Sequence, residues 1–166
     1  MSTQKKTVFM ARAAMIAALY VVLTYLAAAL GLSGQSVIQV RFSEALCVLP
    51  YFTAAAVPGV TLGCLLANLL TGAHIIDVLF GTLATLLGAI GTRLLRKWRF
   101  LAPLPPIVAN TVIVPFVLRY AYLTTDVGLP YLFLTVGLGE IISVGVLGLL
   151  LLFALEKHRR HLFGTE

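Results

Sequence analysis

The sequence predicts an all-α integral membrane protein, a single domain over residues 1–166 made of six transmembrane helices with both termini cytoplasmic. Three observations carry this. Hydrophobic residues make up 60% of the chain and charged residues 11%, with a mean hydropathy of +1.03, far from a soluble domain's profile. Ten of the twelve Lys and Arg fall in three clusters between apolar stretches: Lys5, Lys6 and Arg12; Arg93, Arg96, Lys97 and Arg99; Lys157, Arg159 and Arg160. Basic residues collect on the cytoplasmic flanks of membrane helices, which puts the N-terminus, the segment around Trp98 and the C-terminus inside. Finally, four apolar stretches are long enough to cross a hydrocarbon core of about 30 Å at about 1.5 Å per residue.

Those four are, in order, residues of about 8–32, 76–96, 105–124 and 131–156. The first is too long for a signal-peptide core and leads straight into further spans, so it reads as a retained helix. It leads out and the helix of about 76–96 leads back in, so the stretch 42–71 between them crosses an even number of times. Two short helices, about 42–57 and 58–71, satisfy that parity, with Pro50 inside the first and Pro58-Gly59 breaking the pair. Proline disfavours the helical conformation just before it, and glycine relaxes the turn. Neither short helix spans comfortably without tilt or local thinning, and a re-entrant hairpin is the alternative. Interrupted segments in a bundle point to substrate sites in transporters, because freed backbone groups line a cavity.

The net charge of +6 does not indicate nucleic-acid binding, since the basic groups flank spans instead of forming one face. Cys47 and Cys64 lie in apolar segments and match neither a metal spacing nor a disulfide framework, so they read as packing residues. No phosphate-cradling glycine loop, nucleophile elbow or metal-ligand spacing is present. The chain therefore reads as a non-enzyme without metal or cofactor, and active transport through it must draw energy from another protein or an ion gradient.

Lipid removes the hydrophobic drive between helices, so small residues must let backbones approach. Gly59, Gly63, Ala67 and Thr71 form an every-fourth-residue stripe that reads as intramolecular packing. Ala13 with Ala17, and Ala14 with Ala18, give two overlapping small-residue pairs on the first helix, open to packing inside the bundle or to a partner subunit.

An ionisable group inside a span is expensive, so each is a candidate site residue. In this topology Arg41, Glu44, Asp77, Arg119, Asp126 and Glu140 fall in the outer half or the outer loops. Arg41 and Glu44, three residues apart on one helical face, either neutralise each other or contact a ligand, with Gln35 and Gln39 adding donors and acceptors just upstream. Asn68 and Asp77 flank an outer turn, where Asp77 either caps its helix or binds; His74 beside them lacks metal-ligand company and reads as a surface histidine. Arg119, with Tyr120 and Tyr122, is placed nearer the outside than Asn110. Glu140, among Gly137, Gly139 and Ser143 with no basic residue within a turn, must pair across helices or bind a ligand.

Several motifs also carry a resemblance: Ile38-Gln39-Val40-Arg41-Phe42-Ser43-Glu44-Ala45-Leu46, Gly63-Cys64-Leu65-Leu66-Ala67-Asn68, Asp77-Val78-Leu79-Phe80-Gly81-Thr82-Leu83-Ala84-Thr85-Leu86, and Leu101-Ala102-Pro103-Leu104-Pro105-Pro106. These resemble the queuosine-precursor transporter family QueT, substrate-binding S components of energy-coupling factor (ECF) transporters. The first-helix alanines resemble the surface by which S components meet the transmembrane coupling subunit. The resemblance implies an S-component-like bundle in the bacterial cell membrane that captures a 7-deazaguanine (preQ0, preQ1 or queuine), with uptake driven by a coupling subunit and two ATPases. A guanine-like edge offers N–H groups that a carboxylate such as Glu44 or Glu140 accepts in bidentate fashion, and a carbonyl that suits Gln39, Asn68 or Arg41. An S component for another vitamin, a stand-alone carrier and a membrane scaffold are the alternative classes.

Overall fold

A computed structural model describes residues 3–32, 40–123 and 126–159. Their regular structure is helical throughout: α1 (Thr3–Ala29), a 3-10 helix (Phe42–Tyr51), α2 (Ala56–Leu70), α3 (Ile75–Leu94), a short 3-10 turn (Arg99–Leu101), α4 (Leu104–Tyr120), α5 (Leu129–Glu140), a π-helical stretch (Ile141–Gly148) and α6 (Leu149–Glu156). The last three run on as one 28-residue helix. Among the described residues, four helices are long and apolar enough to cross a membrane: Thr3–Ala29, Ile75–Leu94, Arg99–Tyr120 and Leu129–Glu156. Large apolar side chains such as Val22, Leu79 and Leu134 are more than half exposed on their outer faces, as a bundle solvated by lipid requires.

The middle of the chain departs from the sequence expectation in two respects. The break between the two short elements lies at residues 52–55, not at Pro58-Gly59, and the first element winds as a 3-10 helix. Pro58 sits in the first turn of α2, where a missing N–H removes no intrahelical hydrogen bond. Ten residues at about 2.0 Å make the 3-10 helix roughly 20 Å long, and fifteen at about 1.5 Å make α2 little longer, so each falls short of the hydrocarbon thickness. Ser43 through Tyr51 are all buried, so the 3-10 helix is a core element with no lipid face. Its far end is held by Arg93, whose guanidinium donates to the Pro50 carbonyl at 3.2 Å.

α1 begins several residues before the apolar run, because hydropathy marks the membrane-crossing part of a helix and not its first hydrogen bond. Both α1 and α2 end in Schellman turns, with Gly31 and Gly72 at φ +71° closing the last carbonyls. The small residues work as seams. A side chain at Gly59 would meet Ala13 and Ile16, and one at Gly63 would come within 2.6 Å of Tyr20. At the other seam, Gly88 and Gly91 of α3 lie against Pro106 and Pro105 of α4, with the Thr92 hydroxyl donating to the Ala102 carbonyl at 2.8 Å. Gly148 in turn admits Val48, which brings the π-helical stretch against the 3-10 helix.

Candidate binding site

The two irregular helices face each other, and the buried polar groups gather where they meet. A 3-10 helix repeats every three residues, so Arg41, Glu44 and Cys47 lie along one edge. Glu44, 2% exposed, accepts hydrogen bonds from the Tyr20 hydroxyl of α1, from Cys47 Sγ (3.3 Å) and from Asn110 Nδ2 of α4 (3.4 Å). The Tyr20 ring is positioned by Gly63, which leaves no room for anything but hydrogen at that point of α2.

Arg41 precedes the 3-10 helix in extended conformation, and its backbone N–H donates to Ser143 Oγ at 3.0 Å in the π-helical stretch. Burial disfavours charge on its guanidinium, but Asp77 and then Glu44 outweigh that, so its pKa rises above the ordinary value and it is a permanent cation. Glu140, 8% exposed at the end of α5, also interacts with Glu44, Asn110 and Arg41, while its Oε2 has no hydrogen-bond partner. Ser43 Oγ is buried and unpartnered as well.

A second polar group sits at the start of α3. The helix is capped by His74, whose Nδ1 accepts from the Ile76 N–H at 3.3 Å, which leaves Asp77 free for other work. Asp77 Oδ2 accepts from the Tyr122 hydroxyl at 2.9 Å, and that hydroxyl accepts from the His74 N–H at 3.2 Å. Desolvation, helped by Asp77, pushes the Tyr122 phenol up, so it stays a donor at physiological pH. A methyl at Gly81 would lie 3.3 Å from both Asn68 Nδ2 and Asp77 Oδ1; this glycine lets α2 and α3 present both groups together. Asn68 donates to Cys64 Sγ at 3.6 Å.

Arg41, Glu44, Asn68, Asp77 and Glu140 thus lie in or beside one connected polar region. Arg119 takes a different position: it donates to the Val127 carbonyl at 3.4 Å and ties down the connection between α4 and α5. Gln35 and Gln39 fall outside the described residues. The two alanine pairs separate. Ala13 and Ala17 are buried against α2 and unavailable to a partner, whereas Ala14 and Ala18 are exposed. A cavity of about 300 Å³ between α3 and α4, walled by Ile76, Phe80, Val112, Phe116, Tyr120 and their neighbours, presents no polar surface and has no carboxylate in its lining.

Sequence reasoning missed Tyr20, placed Asn110 nearer the cytoplasm than the candidate site, and read Cys47 as packing alone. Helix contacts bring Tyr20 and Asn110 to Glu44, and the three-residue repeat of the 3-10 helix brings Cys47.

A cluster of carboxylates and amides sunk in an apolar bundle suits recognition of a polar solute crossing a membrane. The QueT transporter family model matches residues 10–157, most of the chain. The chain belongs to that family. Neither the curated proteins nor the solved structures give a match. As a QueT transporter it is a multi-pass membrane protein that moves a small molecule, and the cluster around Glu44 is the candidate place for that molecule.

Proposed function

We propose that this QueT transporter is the substrate-binding S component of an ECF-type importer in the bacterial cell membrane, holding a 7-deazaguanine queuosine precursor at the Glu44 cluster. The chain hydrolyses nothing in this reading; a transmembrane coupling subunit and two ATPases supply the energy. The six-crossing topology belongs to the same proposal, with both ends cytoplasmic and the Asp77–Tyr122 end of the bundle outside.

The observation that carries the reading is the set of polar groups around Glu44, drawn from α1, the 3-10 helix, α4 and α5. A deazaguanine edge offers N–H donors to a carboxylate and a carbonyl to an amide or guanidinium, and Glu140, Asn68 and Arg41 are of the matching kinds. The exposed Ala14 and Ala18 give the first helix a small-residue face on which a coupling subunit can pack closely.

Native mass spectrometry of the detergent-purified chain, offered preQ0, preQ1, queuine, guanine, riboflavin, thiamine and biotin together, tests this. Retention of a deazapurine, lost in Glu44→Ala or Glu140→Ala, is the expected result. Retention of a vitamin instead overturns the substrate, and retention of nothing overturns the binding role.

A further inference from the structure

The basic clusters orient the chain, but one of them is built in a way that orientation alone does not require. From the end of α3 toward α4 the chain reads Leu94-Leu95-Arg96-Lys97-Trp98-Arg99-Phe100-Leu101, with cationic and large apolar residues interleaved. Arg99 is used within the protein. Its guanidinium pairs with Glu156 at 3.6 Å and lies over the rings of Phe100 and Phe153 at 5.2 and 5.8 Å, which pins this connection to the end of α6. Glu156 is the only acidic residue in the described part of this end of the bundle. Arg96 and Lys97 are exposed and, among the described residues, have no hydrogen-bond, ion-pair or ring partner. Leu94, Trp98 and Phe100 beside them are all more than half exposed.

We propose that this segment is a seat for an anionic phospholipid, with Arg96 and Lys97 on the headgroup and Trp98 and Phe100 in the interfacial layer beside it. The segment joins two membrane-crossing helices, so it lies at headgroup depth, where amphipathic rings settle. In the six-crossing topology the leaflet is the inner one. Beneath the segment, Leu104, Val108 and Val112 stand four residues apart on one half-exposed face of α4, and Leu87 and Leu94 lie on the outer face of α3 seven residues apart in register with Phe80. Phe80 and Val112 line one groove between the two helices, so both faces open to the same side. Leu104 to Val112 spans about 12 Å at about 1.5 Å per residue, most of one leaflet's share of a hydrocarbon core of about 30 Å. An acyl chain can therefore follow the stripe while its headgroup stays on the basic pair. An acidic protein surface would satisfy the two charges but not an apolar stripe that continues into the bilayer. A zwitterionic lipid fits the stripe but brings its own cation to Arg96 and Lys97, whereas a net negative headgroup supplies the charge this end lacks.

Native mass spectrometry of the detergent-purified full chain, offered equal amounts of phosphatidylglycerol and phosphatidylcholine with the same acyl chains, reads the preference without any transported ligand. Phosphatidylglycerol should be retained over phosphatidylcholine by about tenfold or more, the scale of two basic residues at an anionic headgroup. Arg96→Gln combined with Lys97→Gln should bring that ratio close to one at an unchanged melting temperature, because both side chains are exposed and unpartnered among the described residues. Lys5→Gln combined with Lys6→Gln removes the same charge from α1 and should leave the ratio nearly as it was. Trp98→Ala should weaken retention of both lipids alike. Equal retention of the two lipids by the unsubstituted chain, or retention of neither, overturns the inference. A preference that falls as far in the Lys5 and Lys6 variant as in the Arg96 and Lys97 variant overturns it too, since the attraction is then a diffuse field of the whole basic end and not a seat.

Discussion

Glu44 accepts three buried hydrogen bonds, and each donor to it can be removed singly. Tyr20→Phe keeps the ring that fills the space beside Gly63 and deletes only the hydroxyl. A buried carboxylate that loses one donor should lower stability by about 1–3 kcal/mol, read as a fall in melting temperature in detergent. An unchanged melting temperature would show that Glu44 does not depend on that donor. Asn110→Leu should cost a similar amount and should also weaken ligand binding, because Asn110 interacts with both Glu44 and Glu140. The carboxylates and Arg41 were legible in the sequence because charge in an apolar stretch has few explanations. Tyr20 and Asn110 were not: a tyrosine or an asparagine in a span is ordinary until the helix contacts show what it touches. Asp77 was legible as a helix-start residue, but the cap itself is made by His74, a loop histidine whose use depends on the local turn.

At the scale of elements, glycine seams transmit packing to the site. Gly63→Leu should be more damaging than a surface glycine change, since Tyr20 has to move away from α2 and Glu44 then loses its α1 donor. Overpacking of this kind costs about 1–3 kcal/mol. The expected outcome is reduced melting temperature together with loss of ligand retention, and a variant that melts lower but binds normally would separate the seam from the site. The four long helices could be read from hydropathy alone, within a few residues at each end. The 3-10 winding of Phe42–Tyr51 could not, because Ser43 through Tyr51 are all buried and no exposed polar face sets the period of the segment. The π-helical stretch was equally hidden, since Ile141–Gly148 is almost wholly apolar and no residue in it marks the wider winding; in the structure this stretch packs on the 3-10 helix, with Gly148 admitting Val48.

For the whole molecule, the basic clusters make a prediction about sidedness that a reporter can check. Fusions after residue 98 and after the C-terminus should carry an active cytoplasmic reporter such as a fluorescent protein, and a fusion at His74 should be active with a periplasmic-type reporter instead. The opposite pattern at residue 98 would break the parity on which six crossings rest. Sidedness then bears on docking through α1. Ala13 and Ala17 face α2 and Ala14 and Ala18 face outward, so two substitutions one residue apart should fail for different reasons. Ala17→Trp drives a large ring into the α1–α2 seam and should lower melting temperature and ligand binding together. Ala18→Trp adds bulk on the exposed side, so melting and binding should match the unsubstituted chain while energised uptake, in cells that hold the coupling subunit and ATPases, is lost. Normal uptake by Ala18→Trp would mean that this face meets lipid alone, and would leave the coupled-importer reading without a docking surface on α1.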